Sequence, residues 1–192
     1  MSEQAKLVMD EQKLTRALRR IAHEILERNS GAESVALLGI ISRGASLAKR
    51  IAAIIKDVEG VAVPVGLMDI SLYRDDVHTK LDQPIIQRTD ILFEVADCNV
   101  VIVDDVLFTG RTVRAALNQI NDFGRPRTIQ LAVLVDRGHR ELPIKPDYVG
   151  INLPTARADQ VVVKVADRDG IDQVLIVHSD EASRSDQSGG EV

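Results

Sequence analysis

The sequence predicts an α/β fold with a central, mostly parallel sheet flanked by helices, on three observations. Apolar runs of strand length, VALLGII at 35–41, VVIV at 100–103 and TIQLAVLV at 128–135, are continuous rather than alternating, as strands buried on both faces must be. Segments of helical period lie between them, so strand and helix alternate along the chain. Two of the runs break into short polar turns with glycine, Ser42-Arg43-Gly44 and Asp136-Arg137-Gly138, which punctuate the chain where a strand must stop.

Each element has its own warrant. Asp10 precedes a helix in which Leu14, Ala17, Leu18, Ile21, Ala22 and Ile25 form one apolar stripe, with Arg16, Arg20, His23, Glu27 and Arg28 outside it. Asn29-Ser30-Gly31 ends that helix. The strand at 35–41 follows, then Ser42-Arg43-Gly44 and a second helix over 45–56. Residues 61–70 read as a strand weakened by Pro64 and Gly66. Residues 72–94 are polar and irregular, with Tyr73, Arg74, Asp75, Asp76, Lys80, Asp82 and Pro84. A loop that long in a small domain usually serves function, although strand-like residues over 84–93 leave a hairpin open. The strand at 100–103 comes next, then a helix over 112–123 stopped near Gly124 and Pro126, and the strand at 128–135. Shorter strands are expected at 148–153, 161–165 and 174–177. Residues 1–178 are expected to form one domain. Residues 179–192, Ser, Asp, Glu and Gly with almost nothing to bury, are expected to be a disordered tail.

Composition narrows the class. A chain of 192 residues with 45% hydrophobic and 28% charged residues has the make-up of a globular domain with a sizeable core. Aromatics are only 3%, with no Trp, so the core must be aliphatic. A formal net charge of −5 argues against a general nucleic-acid coat or a membrane-surface protein, but leaves room for a local basic face. The single Cys98 excludes an internal disulfide and fits a reducing, cytoplasmic setting. No apolar run is long enough to span a bilayer.

The densest chemistry lies in 100–112: Val100, Val101, Ile102 and Val103, the carboxylates Asp104 and Asp105, then Val106, Leu107, Phe108, Thr109, Gly110, Arg111 and Thr112. The four apolar residues read as a strand ending in the two carboxylates, and strand carboxyl ends in open α/β sheets are where ligands bind. The hydroxyl- and glycine-bearing turn that follows enters a helix. It therefore offers free backbone N–H groups and a positive dipole end to a phosphate monoester. The carboxylates suit neighbouring hydroxyls or a magnesium ion. An anion cradle beside a diol clamp fits a phosphorylated ribose. The bland alternative is a capped helix after a strand, with two solvated aspartates.

This string resembles the phosphoribosyl diphosphate (PRPP) motif of type I phosphoribosyltransferases. Further stretches, RIAHEILERN, ISRGASLAKR, DISLYRDD, GRPRTIQLAVLVDRGHRELPIKPDYVG and GIDQV, extend the likeness over most of 8–176. Among such enzymes the chain resembles the bifunctional pyrimidine operon attenuator and uracil phosphoribosyltransferase family, PyrR.

The resemblance implies a type I phosphoribosyltransferase fold with a flexible active-site loop and a small hood. It implies a cytoplasmic, homo-oligomeric pentosyltransferase that converts uracil and PRPP into UMP and pyrophosphate. Magnesium would be held mainly through the substrate's pyrophosphate, with Asp104 or Asp105 as a further contact. Residues 100–112 would bind PRPP, Ser42, Arg43 and Gly44 would form the pyrophosphate loop, and Arg74, on a loop that closes over the site, would act with Asp104 and Asp105. Arg88 is a weaker phosphate candidate. Asp136 and Arg137 would lie near base and ribose. No protein nucleophile is required, and Cys98 has no activating neighbours. Whether Asp105 stabilises positive charge at C1 or serves as a base stays open.

The resemblance also implies binding of the pyrimidine operon mRNA leader, favoured by UMP or UTP, through Arg20, His23, Arg28, His139, Arg140 and Lys145. There are departures: Arg19 and Ser42 stand where members commonly have Thr, and Ile151 where a Lys is common. Rival expectations are an enzyme that has lost RNA regulation, an RNA-binding nucleotide sensor with weak transferase activity, and a transferase acting on a purine.

Overall fold

The computed structural model describes residues 5–70 and 89–178. The expectations for Arg74, Arg88, most of the loop at 72–94 and the tail at 179–192 lie outside the described residues. Among the described residues, eight strands and four helices follow in order: β1 (Ala5–Met9), α1 (Glu11–Asn29), β2 (Val35–Ile40), α2 (Arg43–Glu59), β3 (Val65–Met68), β4 (Asn99–Leu107), α3 (Arg111–Ile120), β5 (Thr128–Asp136), β6 (Tyr148–Asn152), β7 (Gln160–Lys164), α4 (Ala166–Asp169) and β8 (Gln173–Val177).

Five strands pair in parallel in the order β3-β2-β4-β5-β6. The apolar runs are continuous because both faces of this sheet are covered. Leu37, Val101, Val103, Ala132 and Leu134 face the core shared with α1 and α2. Their neighbours Leu38, Val100, Ile102, Leu131 and Val133 face the core shared with α3. Side chains alternate between faces along each strand, so both sets must be apolar. β1, β8 and β7 form a second, antiparallel sheet, and its Val163 and Val174 join the core of α1 and α2. No helix among the described residues is long and apolar enough to cross a membrane.

The strand order creates the opening for a ligand. The chain leaves β2 outward to β3 on one side, then returns to lay β4 on the other. The order reverses between β2 and β4, and such a switch point leaves a crevice at the strand carboxyl ends.

Several boundaries differ from those expected. β4 does not stop before the carboxylates but runs through Asp104 and Asp105 to Leu107. Its backbone stays paired with β5 there, Asp104 opposite Val133 and Val106 opposite Val135. β3 covers only Val65–Met68, because Pro64 has no N–H for a ladder. α2 begins at Arg43, so Arg43 and Gly44 are its first turn rather than a free loop. β1 was not foreseen. It is an edge strand whose partner, β8, lies at the far end of the chain. Of the hairpin considered over 84–93, the described part shows a single antiparallel bridge between Leu67 and Asp90.

Candidate functional site

The pairing of β2 with β4 ends at Gly39 opposite Val103. From Asp104 onward β4 keeps β5 as a neighbour but has lost β2. The gap is a cavity of about 260 Å³ lined by Ile40, Ile41, Ser42, Arg43, Ile70, Asp104, Asp105, Val106 and Thr112. The structure thus brings together the two carboxylates, Ser42 and the start of α3, which the sequence reading had placed in one site. Asp104 is 6% exposed. Its Oδ1 accepts from the Asp105 N–H at 3.0 Å, and Asp105 Oδ1 accepts from the Val106 N–H at 2.9 Å.

Gly44 sets the floor of this cavity. A Cβ there would meet the Val103 carbonyl oxygen at 2.4 Å, so only glycine lets the first turn of α2 lie directly against β4. A cis peptide joins Ile41 to Ser42. Ser42 precedes α2 without making a side-chain cap.

A second cavity of about 260 Å³ follows at once, lined by residues 106–112. Gly110 caps α3 with φ +93 and no side-chain hydrogen bond. Apart from the Arg111 N–H, which makes a long 3.4 Å bond to Thr109 Oγ1, a helix start whose cap residue has no side chain turns its N–H groups and positive dipole end outward, as an oxyanion requires. The cavity with the carboxylates and the one at the start of α3 are therefore adjacent but separate, with Val106 lining both.

The turn after β5 supports the cradle from behind. The Glu141 and Leu142 N–H groups both donate to the Thr109 carbonyl, at 3.0 and 3.2 Å. Glu141 also pairs with Arg111 at 2.9 Å and with Arg157 at 2.5 Å. The hydrogen bond from Arg111, then that from Arg157, holds its carboxyl below the usual value. Arg140 pairs with Asp136 at 2.5 Å and donates to the Phe108 carbonyl at 2.8 Å and the Ile144 carbonyl at 3.0 Å.

Arg137, expected to touch base or ribose, is turned inward. It is 7% exposed and donates to Thr155 Oγ1 at 3.2 Å, the Ala156 carbonyl at 3.0 Å and the Arg157 carbonyl at 3.3 Å. Its guanidinium lies 4.2 Å from the Phe108 ring centroid. Burial lowers its pKa, and the nearby Asp159 charge opposes that shift. His139 Nε2 lies 2.7 Å from the Thr155 carbonyl, which fixes that nitrogen as the donor. Arg137 and His139 thus tie the segment around Thr155 to the back of the second cavity.

Arg43, expected to meet pyrophosphate, borders the first cavity, but its guanidinium donates to Asp169 of α4 at 3.2 and 3.0 Å. Of the basic residues assigned to RNA, Arg20 donates to the Val149 and Gly150 carbonyls at 3.0 and 2.6 Å. Arg28 pairs with Asp147 at 2.6 Å. His23 and Lys145 are exposed. Of the residues that the sequence reading missed, Glu141 sits unremarked inside a stretch that carries the family likeness, while Thr155, Asp159 and Asp169 lie outside those stretches. They are recognisable only from their partners in space.

Among the described residues no group of three or more His, Cys, Asp or Glu side chains could cage a metal. Two adjacent carboxylates beside an anion cradle suit Mg²⁺, which is commonly held by one or two carboxylates together with substrate phosphates.

Comparison with known proteins agrees with this geometry. A family model described as phosphoribosyl transferase domain matches residues 5–168. The chain is 57% identical over 169 residues to the bifunctional protein PyrR of Acetivibrio thermocellus, covering 88% of this chain and 92% of that one. It is 54% identical over 174 residues to the protein of that name from Halalkalibacterium halodurans, covering 90% and 97%. Among solved structures, a hypoxanthine-guanine phosphoribosyltransferase from Bacillus anthracis superposes with a TM-score of 0.68 at 17% identity, covering 93% of this chain and 100% of that one. The hypoxanthine phosphoribosyltransferase of Trypanosoma cruzi in complex with IMP gives 0.68 at 17% identity, covering 96% and 95%. At that identity the two structures speak for the fold alone.

Proposed function

The chain belongs to the phosphoribosyl transferase domain family and, within it, to the PyrR proteins, and on that premise we propose that it is a uracil phosphoribosyltransferase that also regulates the pyrimidine operon through its mRNA. The observation that carries the enzymatic half is the switch-point crevice, with Asp104 and Asp105 on one side of Val106 and the uncapped start of α3 on the other.

PRPP fits this arrangement end to end. The N–H groups at the start of α3 hold its 5-phosphate. Asp104 and Asp105 accept from the ribose hydroxyls. Ser42 and the first turn of α2 face the pyrophosphate. In the reaction the bond from C1 to the pyrophosphate oxygen breaks, the bond from C1 to N1 of uracil forms, and N1 loses its proton. Positive charge develops at C1 and the ring oxygen as pyrophosphate departs. Fixed carboxylates near that charge and fixed N–H groups at the phosphates stabilise the separation without reorganising. Mg²⁺, when bound with PRPP, would neutralise the pyrophosphate, with Asp104 or Asp105 as its protein contact.

The regulatory half rests on the PyrR relatives, bifunctional by name. Candidate RNA contacts are Arg20, His23 and Arg28 on α1 and Lys145 before β6, all exposed, while His139 and Arg140 brace the phosphate cradle from behind. The setting proposed is a homo-oligomer in the cytoplasm.

Replacing Asp104→Asn and Asp105→Asn together is expected to abolish UMP formation from uracil and PRPP while the circular dichroism spectrum stays unchanged. Turnover retained by that double variant would overturn the assignment of the site.

A further inference from the structure

α2 presents Arg43, Ser46 and Arg50 to three aspartates around α4. Arg43 Nε and Nη2 donate to the two carboxylate oxygens of Asp169 at 3.2 and 3.0 Å. The Ser46 hydroxyl donates to Asp167 at 2.5 Å. Arg50 pairs with Asp172 at 2.8 Å. Only the first of these contacts reaches the candidate site, because Arg43 borders the cavity that holds Asp104 and Asp105. Asp169 is itself held from its own side, since its Oδ2 also accepts from the Val165 N–H at 2.9 Å. The pairing uses the Nε and Nη2 edge of the guanidinium. Nη1 has no hydrogen-bond partner among the described residues.

We propose that Asp169 is a positioning residue for the pyrophosphate end of the reaction: its carboxylate fixes the Arg43 guanidinium at the cavity wall, so that pyrophosphate meets a cation already oriented. This rests on reading the cavity as a PRPP site. An arginine side chain free in solvent must be ordered when an anion binds, and ordering it beforehand removes that loss from the binding step. A bidentate carboxylate is the partner that fixes the plane of a guanidinium as well as its place. The simple Coulomb effect has the opposite sign. A carboxylate near the pyrophosphate repels it, so if charge alone mattered, removing Asp169 would tighten PRPP binding. The direction of the change therefore separates the two effects.

The test compares Asp169→Asn, Asp169→Glu, Arg43→Gln, the Arg43→Gln/Asp169→Asn double variant and Ser46→Ala. Asp169→Asn is expected to raise KM for PRPP and weaken pyrophosphate binding by about tenfold, the order of effect that a misplaced positioning group produces. KM for uracil should not change. Asp169→Glu should recover most of the loss. In the Arg43→Gln background the Asp169 change should add nothing, because the two residues act as one unit. Ser46→Ala, which loosens the same contact between α2 and α4, should lower Tm and leave KM for PRPP unchanged. Calorimetric titration of each variant with pyrophosphate and Mg²⁺ reads the same effect without turnover. If the wild type makes no UMP while Asp169→Asn still loses pyrophosphate affinity, the uracil reading fails and the positioning role stands. Unchanged or tighter PRPP binding in Asp169→Asn, additive effects in the double variant, or an equal loss in Ser46→Ala would each overturn the proposal.

Discussion

Arg137, expected to lie near base and ribose, is anchored by the segment around Thr155. Its guanidinium is buried, stacked on Phe108 and bonded to Thr155, Ala156 and Arg157. Lysine keeps the charge but lacks the planar fork, so Arg137→Lys leaves part-buried acceptors at Thr155, Ala156 and Arg157 without their donors. We expect it to lower unfolding free energy by about 1 kcal/mol, the order of a lost hydrogen bond whose acceptor water can reach, as read by urea denaturation. A change within a few tenths of a kcal/mol would mean that the loop around Thr155 does not depend on this residue. Arg20, Arg28 and Arg140 repeat the lesson more mildly. Each is a basic residue on a legible pattern whose partner, the Val149 carbonyl, Asp147 or Asp136, is set by the fold. Spacing along the chain shows that such a residue is basic and where its helix or turn lies. It does not show whether the guanidinium faces a ligand or a neighbouring strand.

At the scale of elements, β4 and the contact between α2 and α4 shape the candidate site. β4 carries its carboxylates inside the strand because β5 continues to pair with it after β2 has stopped. A pair of aspartates reads locally as a break, and only the neighbouring strand makes it otherwise. The contact between α2 and α4 has a pH signature. The Arg43 hydrogen bond, followed by that from the Val165 N–H, holds the Asp169 carboxyl below its ordinary value of 3.8. A carboxyl lowered in the folded state stabilises the fold fully above its unfolded value and loses that contribution as pH falls through its folded value. Thermal melting is thus expected to be insensitive to this group above about pH 5 and to lose its contribution below the ordinary carboxylate range. Asp169→Asn should melt below wild type near neutrality, where the carboxylate contributes in full, and the gap should close as pH falls, which flattens the variant's acid limb. An identical acid limb in wild type and variant would show that other carboxyls govern it.

Across the whole molecule, the parallel sheet and the strand, turn and helix start at 100–112 were legible because both are local. Continuous apolar runs identify strands buried on two faces, and residues 100–112 are one strand, turn and helix start. The second sheet was only partly legible. β7 and β8 were foreseen as short strands, but β1 joins β8 across nearly the full length of the chain, and α4 is four residues long. The back of the site was not legible, since Glu141, Thr155 and Asp169 meet their partners through the fold. The fold itself does not choose the base, because solved structures of hypoxanthine phosphoribosyltransferases share it. The assignment of uracil comes from the PyrR relatives and therefore needs its own test. The most direct measurement is nucleotide formation by the purified chain from PRPP and Mg²⁺ with uracil, hypoxanthine and guanine in parallel. The account predicts UMP and pyrophosphate in equal amounts from uracil, with negligible product from either purine. Efficient formation of IMP or GMP, or no UMP from uracil, would contradict it.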